Sequence, residues 1–359
     1  MFVVKYSELG IKSKTTRARM ENTLLSNIKN AYGGKVKVGK EDGRIVVHSD
    51  DGGVLERIFG VSSYCRAFAC EKDVEKIADR ISDAFEKSRT YKIEVKRADK
   101  TFPGTSIEIA KGIARRLEEK GMKLGVKLYD EGIVVEIRNS GVYILSDEKK
   151  GPGGMPYGTG GNAIALFSGG IDSPVAAWMV AKRGVRIDFL FYSFHESIKE
   201  DVIKVFRKLN EEWFLGARLF VIDGNEINKQ IAECEERYRQ VVFKRVLYRI
   251  ANSFKEYDGI ITGESIGQVS SQTLKNLAVI DNASEKIVLR PLIGFDKQEI
   301  VGMAKRIGTY ELSAGIPEFC AFTKKKPATA ANLQDVEREE KKIDWKVVEE
   351  AVRRMEVFS

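Results

Sequence analysis

The apolar run Ala163-Ile164-Ala165-Leu166-Phe167 feeds directly into Ser168-Gly169-Gly170-Ile171-Asp172-Ser173, and Pro174 opens the segment that follows. This junction constrains the fold more than any other stretch of the chain. A short apolar run bounded by turn residues reads as a buried strand, and proline suits the first turn of a helix. The glycines let the backbone approach an anion closely and take positive φ. The N–H groups and dipole of the helix start then hold a phosphate. No Gly-Lys-Ser/Thr follows, so the loop is not a Walker A loop. Further buried-type runs at 187–192, 219–222 and 259–262 alternate with helical patterns. The alternation predicts an α/β fold with a doubly wound parallel sheet, whose ligands bind at the carboxyl ends of the strands. An amphipathic helix over 345–355 closes the chain.

Upstream the pattern differs. Residues 1–50 read as a strand at 2–5, a helix over 13–31 and a hairpin joining 35–38 to 45–48. Lys12, Lys14, Arg17 and Arg19 crowd the start of that helix, where cations oppose the macrodipole, which hints at phosphate contacts. A second unit, 51–150, reads as helix 74–88, strand 91–97, helix 106–119, then strands at 127–128, 133–137 and 142–144, a small α/β layer. Residues 151–161 hold six glycines and two prolines in eleven positions, a linker composition. Residues 162–359 form the parallel-sheet domain. The charge is unevenly spread: residues 1–150 carry 30 Lys and Arg against 23 Asp and Glu, and residues 151–359 carry 30 against 29. That asymmetry points to an anionic partner, nucleic acid first, for the N-terminal part.

Composition excludes several classes. No apolar run reaches the ~20 residues of a membrane span, and the N-terminus lacks a signal-peptide core, so a cytoplasmic protein without a membrane partner is expected. The four cysteines (Cys65, Cys70, Cys234 and Cys320) include no C-x-x-C pair, and His48 and His195 are the only histidines. A structural zinc site or a disulfide scaffold is not expected.

The loop 168–173 resembles the PP-loop of ATP pyrophosphatases. With it, Lys96-Arg97-Ala98-Asp99-Lys100 through Ser106, Gly151-Pro152-Gly153-Gly154, Thr262-Gly263-Glu264-Ser265-Ile266-Gly267-Gln268-Val269-Ser270-Ser271-Gln272, Arg290-Pro291-Leu292 and Ile307-Gly308-Thr309-Tyr310 are similar to the tRNA 4-thiouridine synthetase family, in family order. The resemblance implies a ferredoxin-like domain at 1–50, a THUMP RNA-binding domain at 51–150 and a PP-loop domain at 162–359. It implies tRNA as partner, and ATP and Mg²⁺ as cofactors. It also implies the reaction: O4 of uridine 8 is adenylated, and a sulfur nucleophile displaces AMP. By position, Leu166, Phe167, Phe191 and Tyr192 would flank the adenosine. Ser168, Gly169, Gly170 and Ser173 would hold phosphate, and Lys244, Gly263 and Gln272 would complete the nucleotide site. Asp172 would serve the metal and the leaving pyrophosphate, Lys297 would act in catalysis, and Cys320 would handle sulfur.

Two departures bear on the sulfur step. Many relatives carry a further rhodanese domain, which is not read here, so sulfide or a separate persulfide protein is the expected donor. Some carry a C-x-x-C pair for an iron–sulfur cluster, of which Cys234 is at most half. A homodimer is compatible with the resemblance. The rival readings are another PP-loop adenylating enzyme, which a glutaminase domain would favour, and a non-catalytic tRNA-binding protein, which an altered loop would favour.

Overall fold

The computed structural model describes residues 1–6, 8–41, 43–194, 196–316 and 327–359, Glu196 without its side chain. The chain divides into two compact units, Met1–Pro156 and Tyr157–Ser359. The first is built on β1 (Phe2–Lys5), α1 (Lys14–Ala31), β2 (Lys37–Glu41), β3 (Arg44–His48), β4 (Ser63–Cys70), α2 (Val74–Ala84), β5 (Thr90–Arg97), α3 (Ser106–Glu119), β6 (Lys123–Leu124), β7 (Glu131–Arg138) and β8 (Gly141–Lys150). Its strands form one eight-stranded sheet in the order β2-β3-β1-β4-β8-β7-β5-β6. β4 lies at the centre, antiparallel to β1 on one side and to β8 on the other.

β4 is absent from the sequence reading. Its segment, Ser-Tyr-Cys-Arg-Ala-Phe-Ala-Cys, is poor in the branched residues that mark a strand. Pairing on both edges supplies what local propensity lacks. The strand expected at 127–128 is not formed. Leu128 is 87% exposed, and the pairing with β5 is made at Lys123–Leu124 instead.

The helix α1 buries Met20, Leu24 and Ile28 and is capped by Ser13. Of the cations at its start, Arg17 is committed to the buried Glu21 at 2.8 Å, which Lys40 and Tyr6 also bind. Lys12, Lys14 and Arg19 stay exposed. The glycine-rich segment is hydrogen-bonded at both ends. Gly151 and Gly153 donate to Ser62 and Val61, while Gly158, Thr159 and Gly160 all donate to the carbonyl of Gly184.

The second unit contains β9 (Asn162–Leu166), α4 (Asp172–Ala181), β10 (Arg186–Ser193), α5 (Glu196–Glu212), β11 (Leu219–Asp223), α6 (Asn225–Glu233), α7 (Arg239–Ser253), β12 (Gly259–Ile261), α8 (Leu274–Asp281), β13 (Ile287–Leu289), α9 (Lys297–Ile307), the single turn α10 (Tyr310–Ser313), α11 (Leu333–Glu340), α12 (Trp345–Arg353) and β14 (Glu356–Phe358). The sheet order is β13-β12-β9-β10-β11-β14. Five strands are parallel, as the alternation predicts. The chain winds from β9 to β10 and β11 on one side and to β12 and β13 on the other, so β9 and β12 flank the switch point where such sheets bind ligands. The closing helix is followed by β14, which pairs antiparallel with β11 and covers that edge. Three exposed or half-exposed residues carry too little pattern to announce it.

A buried charge cluster ties α11 to α7. Arg245, 0% exposed, donates to Glu340 at 2.8 Å and to the Val279 carbonyl at 2.6 Å, and Arg249 binds the same carboxylate at 2.7 Å. Burial by itself raises the proton affinity of Glu340, and the hydrogen bonds from Arg249 and Arg245 more than reverse it. Glu340→Gln leaves a buried cation underpaired and is expected to cost about 3 kcal/mol in urea unfolding at pH 7. Because the folded carboxylate binds its proton more weakly than the unfolded one, this stability is present above the unfolded pKa of about 4.3 and is lost as pH falls below it. The gap between variant and wild type therefore closes in acid.

Candidate active site

The loop 168–173 crosses from β9 to α4 at the switch point. Gly169 has φ +74°, and a Cβ there would lie 2.8 Å from Ile316 and Val202. Both the conformation and the space demand glycine. Ser173 accepts from the Ser168 amide at 3.2 Å, and Ser168 Oγ accepts from the Gly170 amide at 3.3 Å, which closes the turn. α4 has no side-chain cap, unlike α2, α3, α8, α9, α11 and α12. Its start keeps N–H groups and a positive dipole end for an anion.

This loop forms one end of a cavity of about 310 Å³. Leu166, Phe167, Ser168, Gly170, Asp172, Ser173, Phe191, Tyr192, Lys244, Gly263 and Gln272, all expected site residues, line it. Gly169 stands behind the turn rather than on the wall. Lys297, the first residue of α9, donates to Asp172 Oδ1 at 2.9 Å, although 125 residues separate them. Cys320 lies outside the described residues.

The far end of the cavity is apolar and aromatic. Tyr192, Phe194 and Phe243 touch one another with ring centroids 5.0–5.1 Å apart. Leu190, Ile198 and Leu247 extend this wall. The Tyr192 hydroxyl is tied to Asn228 at 2.8 Å and to the Gly224 carbonyl, and its burial pushes its pKa up, so it is a neutral wall residue.

Two residues that matter most to the geometry were not singled out from sequence, though both lie in the quoted stretch 262–272. Glu264 is 5% exposed, and its carboxylate binds Lys244 Nζ at 2.5 Å, Arg290 Nε at 2.7 Å, Thr262 Oγ1 at 3.0 Å and the Tyr248 hydroxyl at 3.2 Å. Burial alone would raise its pKa; Lys244 and Arg290 instead hold it down at about 2. Arg290 is bound on its other side by Asp281. The group is two carboxylates and two cations, and it fixes the Lys244 ammonium on the cavity wall. Gln268 donates from Nε2 to Asp172 Oδ2 at 2.9 Å. Asp172 is thus held on both oxygens, by a cation and by an amide.

Cys234 is removed from any such chemistry. It is 1% exposed, its sulfur faces the Glu339 carbonyl at 3.5 Å, and burial pushes its thiol up to about 11. Burial also raises Cys65 and Cys70. None of the described cysteines is a thiolate at neutral pH. Among the described residues no cluster of three or more His, Cys, Asp or Glu could hold a metal, and no helix is long and apolar enough to cross a membrane.

The family model described as thiamine biosynthesis protein (ThiI) matches residues 158–345, a ThiI ferredoxin-like domain matches 1–65 and a THUMP domain matches 69–147. The tRNA sulfurtransferase of Thermoplasma acidophilum is 36% identical over 372 residues, covering 99% of this chain and 77% of that protein. A probable tRNA sulfurtransferase of Caldanaerobacter subterraneus is 37% identical, covering 96% of both. The chain belongs to the tRNA sulfurtransferase family. Among solved structures, a 4-thiouridine synthetase–RNA complex with bound ATP superposes with a TM-score of 0.88 at 33% identity, covering 99% of this chain and 98% of that one. PH1313 from Pyrococcus horikoshii, 23% identical with a TM-score of 0.67, shares the fold.

Gly263 tests how the family's nucleotide site is assembled. A Cβ there would lie 3.0 Å from the backbone of Asp172 and Ser173, so β12 and the start of α4 meet only through glycine. Gly263→Ala is expected to displace the helix start and weaken ATP binding about tenfold, roughly 1.4 kcal/mol. Calorimetric titration with ATP measures it; an unchanged Kd contradicts this account of the loop.

Proposed function

We propose that the protein thiolates tRNA at the expense of ATP: O4 of uridine 8 attacks the α-phosphorus, pyrophosphate leaves, and a sulfur nucleophile at C4 displaces AMP to give 4-thiouridine. The observation that carries this reading is the convergence of an uncapped, glycine-built anion loop with Asp172 and Lys297 in one cavity, in a chain related to tRNA sulfurtransferases along its whole length. A uracil oxygen is a poor leaving group, and adenylation converts it into the oxygen of AMP. The loop amides and Lys297 offset charge gathering on the departing pyrophosphate. Lys244, held by Glu264, offers a cation to the nucleotide phosphates, and the apolar end of the cavity takes the adenosine.

The donor set fits Mg²⁺. One carboxylate, Asp172, stands at the phosphate end, which suits an ion that keeps waters and draws its other ligands from substrate phosphates. Bound there, it supplies further charge neutralisation for the pyrophosphate. The excess positive charge of residues 1–150 supports tRNA binding by the ferredoxin-like and THUMP segments, through phosphates and RNA shape more than sequence. The sulfur donor is sulfide, which attacks C4 directly, or a separate persulfide protein. In the second case the donor's outer sulfur passes to Cys320 with release of the donor's thiol, and is delivered at the sulfide level as a second thiol closes a disulfide on Cys320. The reaction belongs where tRNA is at hand, in the cytoplasm.

Mass spectrometry of tRNA nucleosides after incubation with ATP, Mg²⁺ and either sulfur donor tests the reading. Wild type should yield 4-thiouridine at position 8. Asp172→Ala should yield none while still binding tRNA. Cys320→Ser should keep tRNA-dependent pyrophosphate release and lose transfer from the persulfide donor. Thiolation by Asp172→Ala at the wild-type rate removes Asp172 from the chemistry.

A further inference from the structure

Adenylating O4 requires a uracil at the phosphate end of the cavity, and some group there must tell uracil from other bases. We propose that the loop between β12 and α8 is the uracil receptor, with Gln268 accepting the base's N3–H and Ile266 supporting its face. The inference rests on the thiolation reading above.

The side-chain carbonyl and carboxylate oxygens lining the cavity belong to Asp172, Glu264, Gln240, Gln268 and Gln272. Asp172 is bound on both oxygens, and Glu264 accepts from four groups. Gln240 accepts from the Ser270 hydroxyl at 3.1 Å and Gln272 from the Ser265 amide at 3.3 Å. Gln268 Oε1 is buried and has no hydrogen-bond partner. The side chain cannot simply reverse to satisfy it, because that would set the amide oxygen against the Asp172 carboxylate. A buried acceptor left unpaired is costly and marks a place where a donor belongs.

The position is apt. Gln268 touches Asp172, the residue placed beside the reacting phosphates, so a base bound there presents its O4 to them. In uracil the atom next to C4 is N3–H, a donor; in cytosine it is a bare acceptor. Because Oε1 is buried, pairing with a base requires a partial turn of the glutamine's soft terminal torsion, short of reversal, which gives up the Nε2 bond to Asp172.

The loop is built to present such a group. The Ile266 amide donates to Ile293 at 3.2 Å, the Gly267 amide to Gln272 at 3.1 Å and the Ser265 hydroxyl to Phe295 at 2.9 Å. On this fixed backbone Ile266 is 50% exposed, two residues from Gln268. A base in folded RNA reaches an enclosed site only by leaving its stack, and Ile266, exposed on the same loop though not itself part of the cavity lining, offers an apolar side chain to replace part of the lost stacking.

The test compares tRNA carrying uridine at position 8 with the same tRNA carrying N3-methyluridine there, which keeps O4 and lacks the N–H. Full-length enzyme, Mg·ATP and sulfide are used under single-turnover conditions, which tolerate slow variants. Wild type should prefer uridine on the order of 100-fold. Gln268→Ala should shrink that preference to within a few-fold. Ile266→Ala should lower kcat/KM for both RNAs about tenfold and leave the preference unchanged. A Gln268→Ala enzyme with the wild-type preference overturns the proposal. Failure of wild type to thiolate the uridine tRNA sinks the underlying reading instead, and the two results are distinct.

Discussion

One buried carboxylate holds the nucleotide cavity together. Glu264 leaves the end of β12 and binds, on its two oxygens, a lysine and a tyrosine of α7 and the arginine that follows β13. Arg290 in turn reaches Asp281 at the end of α8. Three elements that approach the switch point from different parts of the chain are thereby fixed around one group. Taking such a charge out of water is unfavourable unless every acceptor site is used, and here two cations and two hydroxyls use them. A change at Glu264 would therefore disturb the cavity wall, the Lys244 cation and the loop 262–272 together.

The start of α4 follows a different rule. Where Glu264 is saturated, the start of α4 is left open, with its amides unpaired by any side-chain cap. Gly169 and Gly263 make that possible, one by its positive φ and the other by the absence of a Cβ against α4. Asp172 sits between these regimes, its carboxylate balanced by Lys297 and Gln268. On the proposed reaction, these donors stand preorganised where negative charge would develop, with little reorganisation required of the protein.

Much of this was legible in the sequence. A strand, a glycine pair and a helix-starting proline are local features, so the loop and the parallel sheet could be read from residue types and spacing, whereas Phe191, Tyr192, Lys244, Gly263 and Gln272 were expected in the cavity wall only through the resemblance to the tRNA 4-thiouridine synthetase family. The partners of those residues could not. Lys297 and Asp172 meet only because α9 packs against α4. Glu264 and Gln268 look like ordinary surface residues until their burial and partners are known. β4 and β14 escaped because their own composition does not favour strands; pairing with neighbours distant in sequence decides them. Cys234 shows the converse, since a thiol that the family resemblance left as at most half of a cluster pair is packed against Glu339 in the core.

The central claim is that uracil O4 becomes an oxygen of AMP. It is tested most directly with tRNA bearing ¹⁸O at O4 of uridine 8, incubated with the enzyme, Mg·ATP and sulfide. Mass spectrometry of the released AMP should find one ¹⁸O in its phosphate for each 4-thiouridine formed. AMP without the label, accompanied by 4-thiouridine, would contradict adenylation at O4 and with it the role assigned to this site.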